Sequence, residues 1–120
     1  MANVRMSRIN AEIQKSIAEI ITNKINNPDV DGMIVSVSKV DTAPDLETAK
    51  VYISVLGSDQ QQKKCFDAIV SSAGFIRYEL SRMIRLKSVP VLNFKYDTSY
   101  ETGERILNLI EGLNIGENDE

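Results

Sequence analysis

Met6, Ile9, Ile13, Ile17, Ile20 and Ile25 recur at three- to five-residue intervals, the spacing that gathers side chains on one face of an α-helix. The pattern predicts a first helix ending before Asn27-Pro28, because the residue ahead of proline is steered out of the α region. A turn-rich stretch, Asn26 to Gly32, follows. Two strand-like runs come next. Ile34 to Val40 is rich in β-branched residues, and Val51, Ile53 and Val55 alternate with Lys50, Tyr52 and Ser54. Asp41 to Leu46 connects them, so an antiparallel hairpin is the simplest pairing.

Gly57-Ser58 closes the second strand, and Ser58 with Gln61 has the form of a capping box that opens a second helix through Phe66, Ile69 and Val70. At Ser71-Ser72-Ala73-Gly74 small residues and a glycine weaken the helix, and a helical pattern resumes at Phe75. This third helix is expected to run to Val89-Pro90. Leu92, Phe94 and Tyr96 then alternate with Asn93 and Lys95 as a third strand. Thr98 with Glu101 is a further capping pattern, ahead of a last amphipathic helix carrying Ile106, Leu109, Ile110 and Leu113. The order αββααβα predicts an α+β domain over residues 1–115, with helices packed on one face of a three-stranded sheet. Residues 116–120 are expected to form a short, acidic, flexible tail.

Composition narrows the chemistry. The 120 residues suffice for one domain, and the absence of histidine removes imidazole bases, Ser/His and Cys/His nucleophile pairs and histidine metal sites. A single cysteine leaves no disulfide framework, which suits a reduced, cytoplasmic compartment. No apolar run approaches the roughly 20 residues of a membrane span. The net charge of −3 argues at first against a polyanionic partner. It conceals two opposed segments, however. Glu101 to Glu120 holds six acids and one arginine, whereas Arg77 to Lys95 holds five bases and one acid.

At about 100° per residue, a helix extended through position 85 places Arg77, Tyr78, Ser81, Arg82 and Arg85 on one arc. Ile76, Leu80, Met83 and Ile84 take the opposite arc, with Glu79 outside the basic one. Clustered arginines repel unless an anion compensates, guanidinium matches phosphate bidentately, and a tyrosine offers a surface for an unpaired base. The glycine corner is expected to let backbone approach backbone, and the helix that follows it begins with free N–H groups suited to phosphate. The plainer readings are a solvated helix face and a tight helix corner. Lys50 and Lys95 are weaker candidates, since strand lysines often only protect a sheet edge. Cys65, beside Phe66, reads as a half-buried inert thiol. Two other classes compete: an enzyme using Asp41, Asp45 and Glu47 as a metal cluster, and a general RNA-binding or protein–protein interaction module with no ribosomal role.

Ser72-Ala73-Gly74-Phe75-Ile76-Arg77, followed by Arg82 to Asp97 with its Arg-Leu and Val-Pro pairs, resembles the signature region of the bacterial ribosome-binding factor A family. Asp45-Leu46 with Ala49-Lys50-Val51-Tyr52, and Arg5, Arg8 and Ile9, resemble its second strand and its N-terminus. The resemblance covers about residues 3 to 113. It implies a KH-like fold of type II order, in which a helix-kink-helix with an Ala-x-Gly corner replaces the GxxG loop of other KH domains. It also implies a non-enzymatic factor, without metal or other cofactor, that binds the free small (30S) ribosomal subunit, contacting 16S rRNA and neighbouring ribosomal proteins. Support of late maturation, 5′-end processing of 16S rRNA and growth in the cold would follow. So would release assisted by a ribosome-maturation GTPase in some bacteria; the expected protein is monomeric and does not touch membrane. Carried over by position, Arg77, Arg82, Arg85 and Lys87 are the expected phosphate contacts and Arg5 and Arg8 a second cluster. Ser72, Ala73 and Gly74 shape the corner. Ser72 stands where the family usually has alanine, and the short acidic C-terminus differs from the longer tails of other members. If the arginines face only RNA, Arg77→Glu with Arg85→Glu should weaken binding and leave thermal stability nearly unchanged.

Overall fold

A computed structural model describes residues 4–86 and 88–98. The order is α1 (Val4–Asn23), β1 (Ile34–Thr42), β2 (Thr48–Leu56), α2 (Asp59–Ser71), α3 (Ala73–Met83) and β3 (Val91–Tyr96). This is the expected α+β architecture, in the expected order αββααβ. The predicted last helix, the tail and Lys87 lie outside the described residues.

α1 buries Ile9, Ile13, Ile17 and Ile20 as its spacing requires, and adds Ile21 and Ser16 to the covered stripe. Its polar side chains serve the sheet too. Gln14 Nε2 donates to the Val37 carbonyl at 2.7 Å, and Asn10 Oδ1 accepts the Thr42 N–H at 3.0 Å. β1 and β2 form the expected antiparallel hairpin. A bulge between Val37 and Lys39 moves the inward set from Val37 to Val40 and Thr42. Without that extra residue, Lys39 and Asp41 would face the core, since successive strand residues point to opposite sides.

β3 pairs with β2 in parallel, giving the strand order β1-β2-β3. A parallel neighbour needs a crossover, and the α2–α3 pair supplies it. α2 opens on the predicted capping box: Ser58 Oγ accepts the Gln61 N–H and Gln61 Oε1 accepts the Ser58 N–H. The inward residues of the sheet, Val40, Ala49, Val51, Ile53, Val55, Leu92 and Phe94, meet Ile13, Ile17, Ile20, Ile69, Ile76 and Leu80 of the helices in one core. Phe66 packs edge-on against Tyr96 with centroids 5.7 Å apart, and the Tyr96 hydroxyl donates to the Val55 carbonyl at 3.2 Å.

The third helix ends six residues earlier than its pattern predicts. Ile84 N–H still bonds the Leu80 carbonyl, but its own backbone is extended (φ −120°, ψ 154°) and its side chain is buried. The chain then returns alongside α3. Arg77 Nη2 donates to the Val89 carbonyl at 2.7 Å, and Arg77 Nε donates to the Val89 and Pro90 carbonyls at 3.2 Å. A helix continued to Val89 would set that residue about 18 Å from Arg77 along the axis. Burying Ile84 and Pro90 in the core requires the return. Arg85 therefore lies beyond the helix, not on its face.

Candidate nucleic-acid interface

Ser72 is both the end of α2 and the start of α3. Its N–H bonds the Ala68 and Ile69 carbonyls, and its Oγ donates to the Ala68 carbonyl at 3.0 Å. The hydroxyl thus stabilises the end of α2, and no side chain caps the first turn of α3. The close backbone approach expected at Gly74, two residues on, does not occur: a Cβ built at Gly74 meets nothing within 4 Å. The missing side chain leaves open space beside the helix start.

That space is the end of an open groove of about 430 Å³ between α3 and the returning segment, lined by Gly74, Arg77, Tyr78, Ser81, Leu86, Ser88 and Val89. Tyr78 is 59% exposed, and the Arg82 guanidinium lies 5.8 Å from its ring centre. Phe75 is 43% exposed at the corner. The groove therefore offers one exposed aromatic surface with an arginine next to it and, at the Gly74 end, the first turn of a helix. Phosphate and an unpaired base are the chemistry that such a rim accepts.

The structure brings some candidate residues together and separates others. Ala73, Gly74, Arg77 and Arg82 share the corner and α3, and Arg82 is exposed there. Arg77 is committed through two nitrogens to backbone carbonyls, so the expectation that its loss leaves stability unchanged is corrected. Arg85 is exposed on the returning segment. Arg5 and Arg8 are exposed on the first turns of α1. The opposite end of α1 meets α3 through Lys24 Nζ and Glu79 Oε1, 3.7 Å apart, and Arg8 lies roughly 24 Å from Lys24 along the helix. These arginines form a separate patch. Glu79 is drawn to Lys24 and away from the groove, as its place outside the basic arc predicts. Leu86, Ser88 and Val89 are groove residues that a long third helix conceals. The signal for them is the loss of helical spacing after Ile84, with a serine and a β-branched residue ahead of proline.

Asp45 Oδ1 accepts the Glu47 N–H at 2.9 Å, an ordinary turn bond, and Asp41 sits on the sheet. Among the described residues, no three acids or cysteines are placed to hold a metal ion. Cys65 is wholly buried, and burial with the nearby Asp29 charge raises its thiol above the ordinary cysteine range.

An α+β domain whose helix corner opens on a groove with an exposed tyrosine and arginine at hand has the form of a binding module. A family model described as Ribosome-binding factor A matches residues 5–110. Ribosome-binding factor A of Clostridium novyi is 42% identical over 113 residues, covering 94% of this chain and 93% of that one. The crystal structure of ribosome-binding factor A from Thermus thermophilus matches with a TM-score of 0.66 at 19% identity, over 76% of this chain and 93% of that one. A homology model of the Thermus thermophilus protein, fitted into the electron microscopy map of its 30S complex, matches at 0.60 and 18% identity, over 74% and 91%. The chain belongs to the ribosome-binding factor A family.

Proposed function

We propose that this protein is a ribosome assembly factor that binds the free small subunit through the groove at the α2–α3 corner. The observation that carries the reading is Gly74, whose side-chain space is empty and opens into that groove beside Arg77, Tyr78 and Ser81. In a member of a family named for ribosome binding, with a structural neighbour described in a 30S complex, that space suits the RNA backbone. Arg82, Arg85 and Lys87 contact phosphates, and Tyr78 stacks on a base. Arg77 holds the groove's far wall and presents its remaining guanidinium edge. Ser72 and Ala73 set the corner, and Arg5 and Arg8 reach a second RNA segment or a neighbouring ribosomal protein.

The protein acts in the cytoplasm as a non-enzymatic monomer and promotes late maturation, including 5′-end processing of 16S rRNA, which matters most in the cold. A maturation GTPase assists its release. Deleting the gene in the bacterium that encodes it and sedimenting the ribosomes tests the reading. Accumulated free small subunits with 5′-extended precursor rRNA at low temperature are expected. A normal profile with mature ends would sink the proposal.

A further inference from the structure

Among the described residues, the helices cover one side of the sheet and leave the other side exposed, with an unusual composition. On β2, Ala49, Val51, Ile53 and Val55 point into the core, so Lys50, Tyr52 and Ser54 point away from it. The register aligns Lys39, Tyr52 and Lys95 as one row across all three strands, and Asp41, Lys50 and Asn93 as the next. Lys39, Lys50 and Lys95 are exposed, and Tyr52 is half-buried between them. Lys39 Nζ lies 5.8 Å from the Tyr52 ring centre. With strands about 4.8 Å apart, Lys39 and Lys95 rise from the sheet roughly 10 Å apart, on either side of the ring.

Edge protection does not account for this set, because Lys50 belongs to the central strand, where both neighbours are already paired. Two acids share the face without outnumbering the lysines: Asp41 is the cross-strand partner of Lys50, and Asp97 accepts the Ser38 hydroxyl at the sheet margin. Among the described residues none of the three lysines is in an ion pair, the pairs being Lys24–Glu79 and Lys63–Asp67. A flat aromatic ring flanked by cations on a sheet is a stacking platform with an electrostatic track, the arrangement that holds single-stranded nucleic acid.

We propose that the open sheet face, built on Lys39, Lys50, Tyr52 and Lys95, is a second binding surface for single-stranded RNA. It rests on the reading that the partner contains RNA, but it uses residues on the other side of the sheet from the α3 groove. The protein then bridges two RNA segments. Tyr52 stacks on one unpaired base, and the lysines neutralise the phosphates to either side of it.

Photo-cross-linking of the full chain to a 12-nucleotide single strand containing 4-thiouridine, with adducts located by mass spectrometry, tests this. Adducts are expected on the β2 peptide containing Tyr52, and they persist in Arg82→Gln/Arg85→Gln. They disappear in Lys39→Gln/Lys50→Gln/Lys95→Gln, whose log–log salt slope for oligonucleotide binding falls in magnitude by about 2. Tyr52→Leu weakens binding roughly tenfold, while Tyr52→Phe retains it. Adducts confined to α3 would overturn the inference and leave the groove reading standing; adducts on neither surface would overturn both. Loss of small-subunit binding by the lysine variant without any β2 adduct would identify a protein partner for this face and also overturn it. Because all three lysines are exposed, melting temperatures are expected to match the parent, and a large fall would assign them to the fold instead.

Discussion

Replacing Gly74 with alanine separates the needs of the fold from those of the groove. The glycine lies in the first turn of α3, and its φ is not in the left-handed region. Beyond its chain neighbours and its own helix backbone, a Cβ there touches no atom within 4 Å. Alanine gives up less backbone entropy on folding than glycine and has the better helix propensity, so Gly74→Ala should stabilise the fold by about 0.5–1 kcal/mol. For a domain of this size that is a rise of roughly 2–5 °C in melting temperature. The new methyl group occupies the open end of the groove, where the first N–H groups of α3 would meet a phosphate. Binding to purified small subunits, measured by co-sedimentation, should fall about tenfold or more, the equivalent of one disturbed contact of about 1.4 kcal/mol. More stable protein that binds worse is the diagnostic pair. A lower melting temperature would mean that the glycine serves the corner itself, and undiminished binding would mean that nothing approaches the backbone there.

Arg77→Met removes the bonds that hold Val89 and Pro90 against α3, and should lower stability by about 1–2 kcal/mol in urea unfolding, since charge-assisted bonds at a partly exposed site contribute in that range. An unchanged urea midpoint would show that burial of Pro90 alone fixes the return. The Cys65 thiol, raised by burial and by Asp29, is protonated in both folded and unfolded chains at neutral pH. Above the ordinary thiol pKa the unfolded chain releases its proton first, so stability should decline as pH rises from about 8.5 towards the folded value. Native protein should resist a thiol reagent at pH 8 until denaturant is added; rapid labelling of the native state would contradict the burial. Thr42 Oγ1 is buried without a hydrogen-bond partner among the described residues, while its backbone N–H is held by Asn10. Thr42→Val should therefore raise stability by up to about 1 kcal/mol, and a loss by thermal melting would reveal a partner for the hydroxyl.

The elements that proved legible were those fixed by local periodicity. The α1 isoleucines from Ile9 to Ile20, the alternation of β2 and the Ser58–Gln61 box each depend on residues a few positions apart and appear as read, whereas α1 ends at Asn23 and Ile25, expected on its stripe, lies beyond it. What local spacing could not supply was decided by distant contacts. Ser38 sits in a plain run of β-branched and polar residues, and only the need to bury Val40 and Thr42 forces the bulge beside it. The end of α3 is the same case at larger scale. Ile84 fits the apolar arc of a helix as well as it fits an extended residue, and the burial of both Ile84 and Pro90 selects the second. Arg77 then acquires a structural role that its place among arginines concealed. Local periodicity leaves the direction of β3 open; its parallel pairing with β2 needs a long crossover, which the α2–α3 pair supplies.

The same tertiary return changes how the basic segment should be understood. As one continuous helix, Arg77, Arg82 and Arg85 would form a stripe on a convex surface, and so would need an anion lying along a rod. In the folded chain Arg77 turns inward to the backbone, Arg82 leans over Tyr78, and Arg85 is exposed on the returning segment beyond the helix. Arg77 is the basic residue that lines the groove, whose end opens at a residue without a side chain, and Arg82 stands next to its Tyr78 wall. A concave site with fewer available cations favours shape over total charge, because guanidinium and aromatic groups act only on a partner that fits between the walls. A net charge of −3 is then compatible with RNA binding: the repulsion from acids elsewhere on the surface weakens non-specific attachment, while the groove keeps its local field.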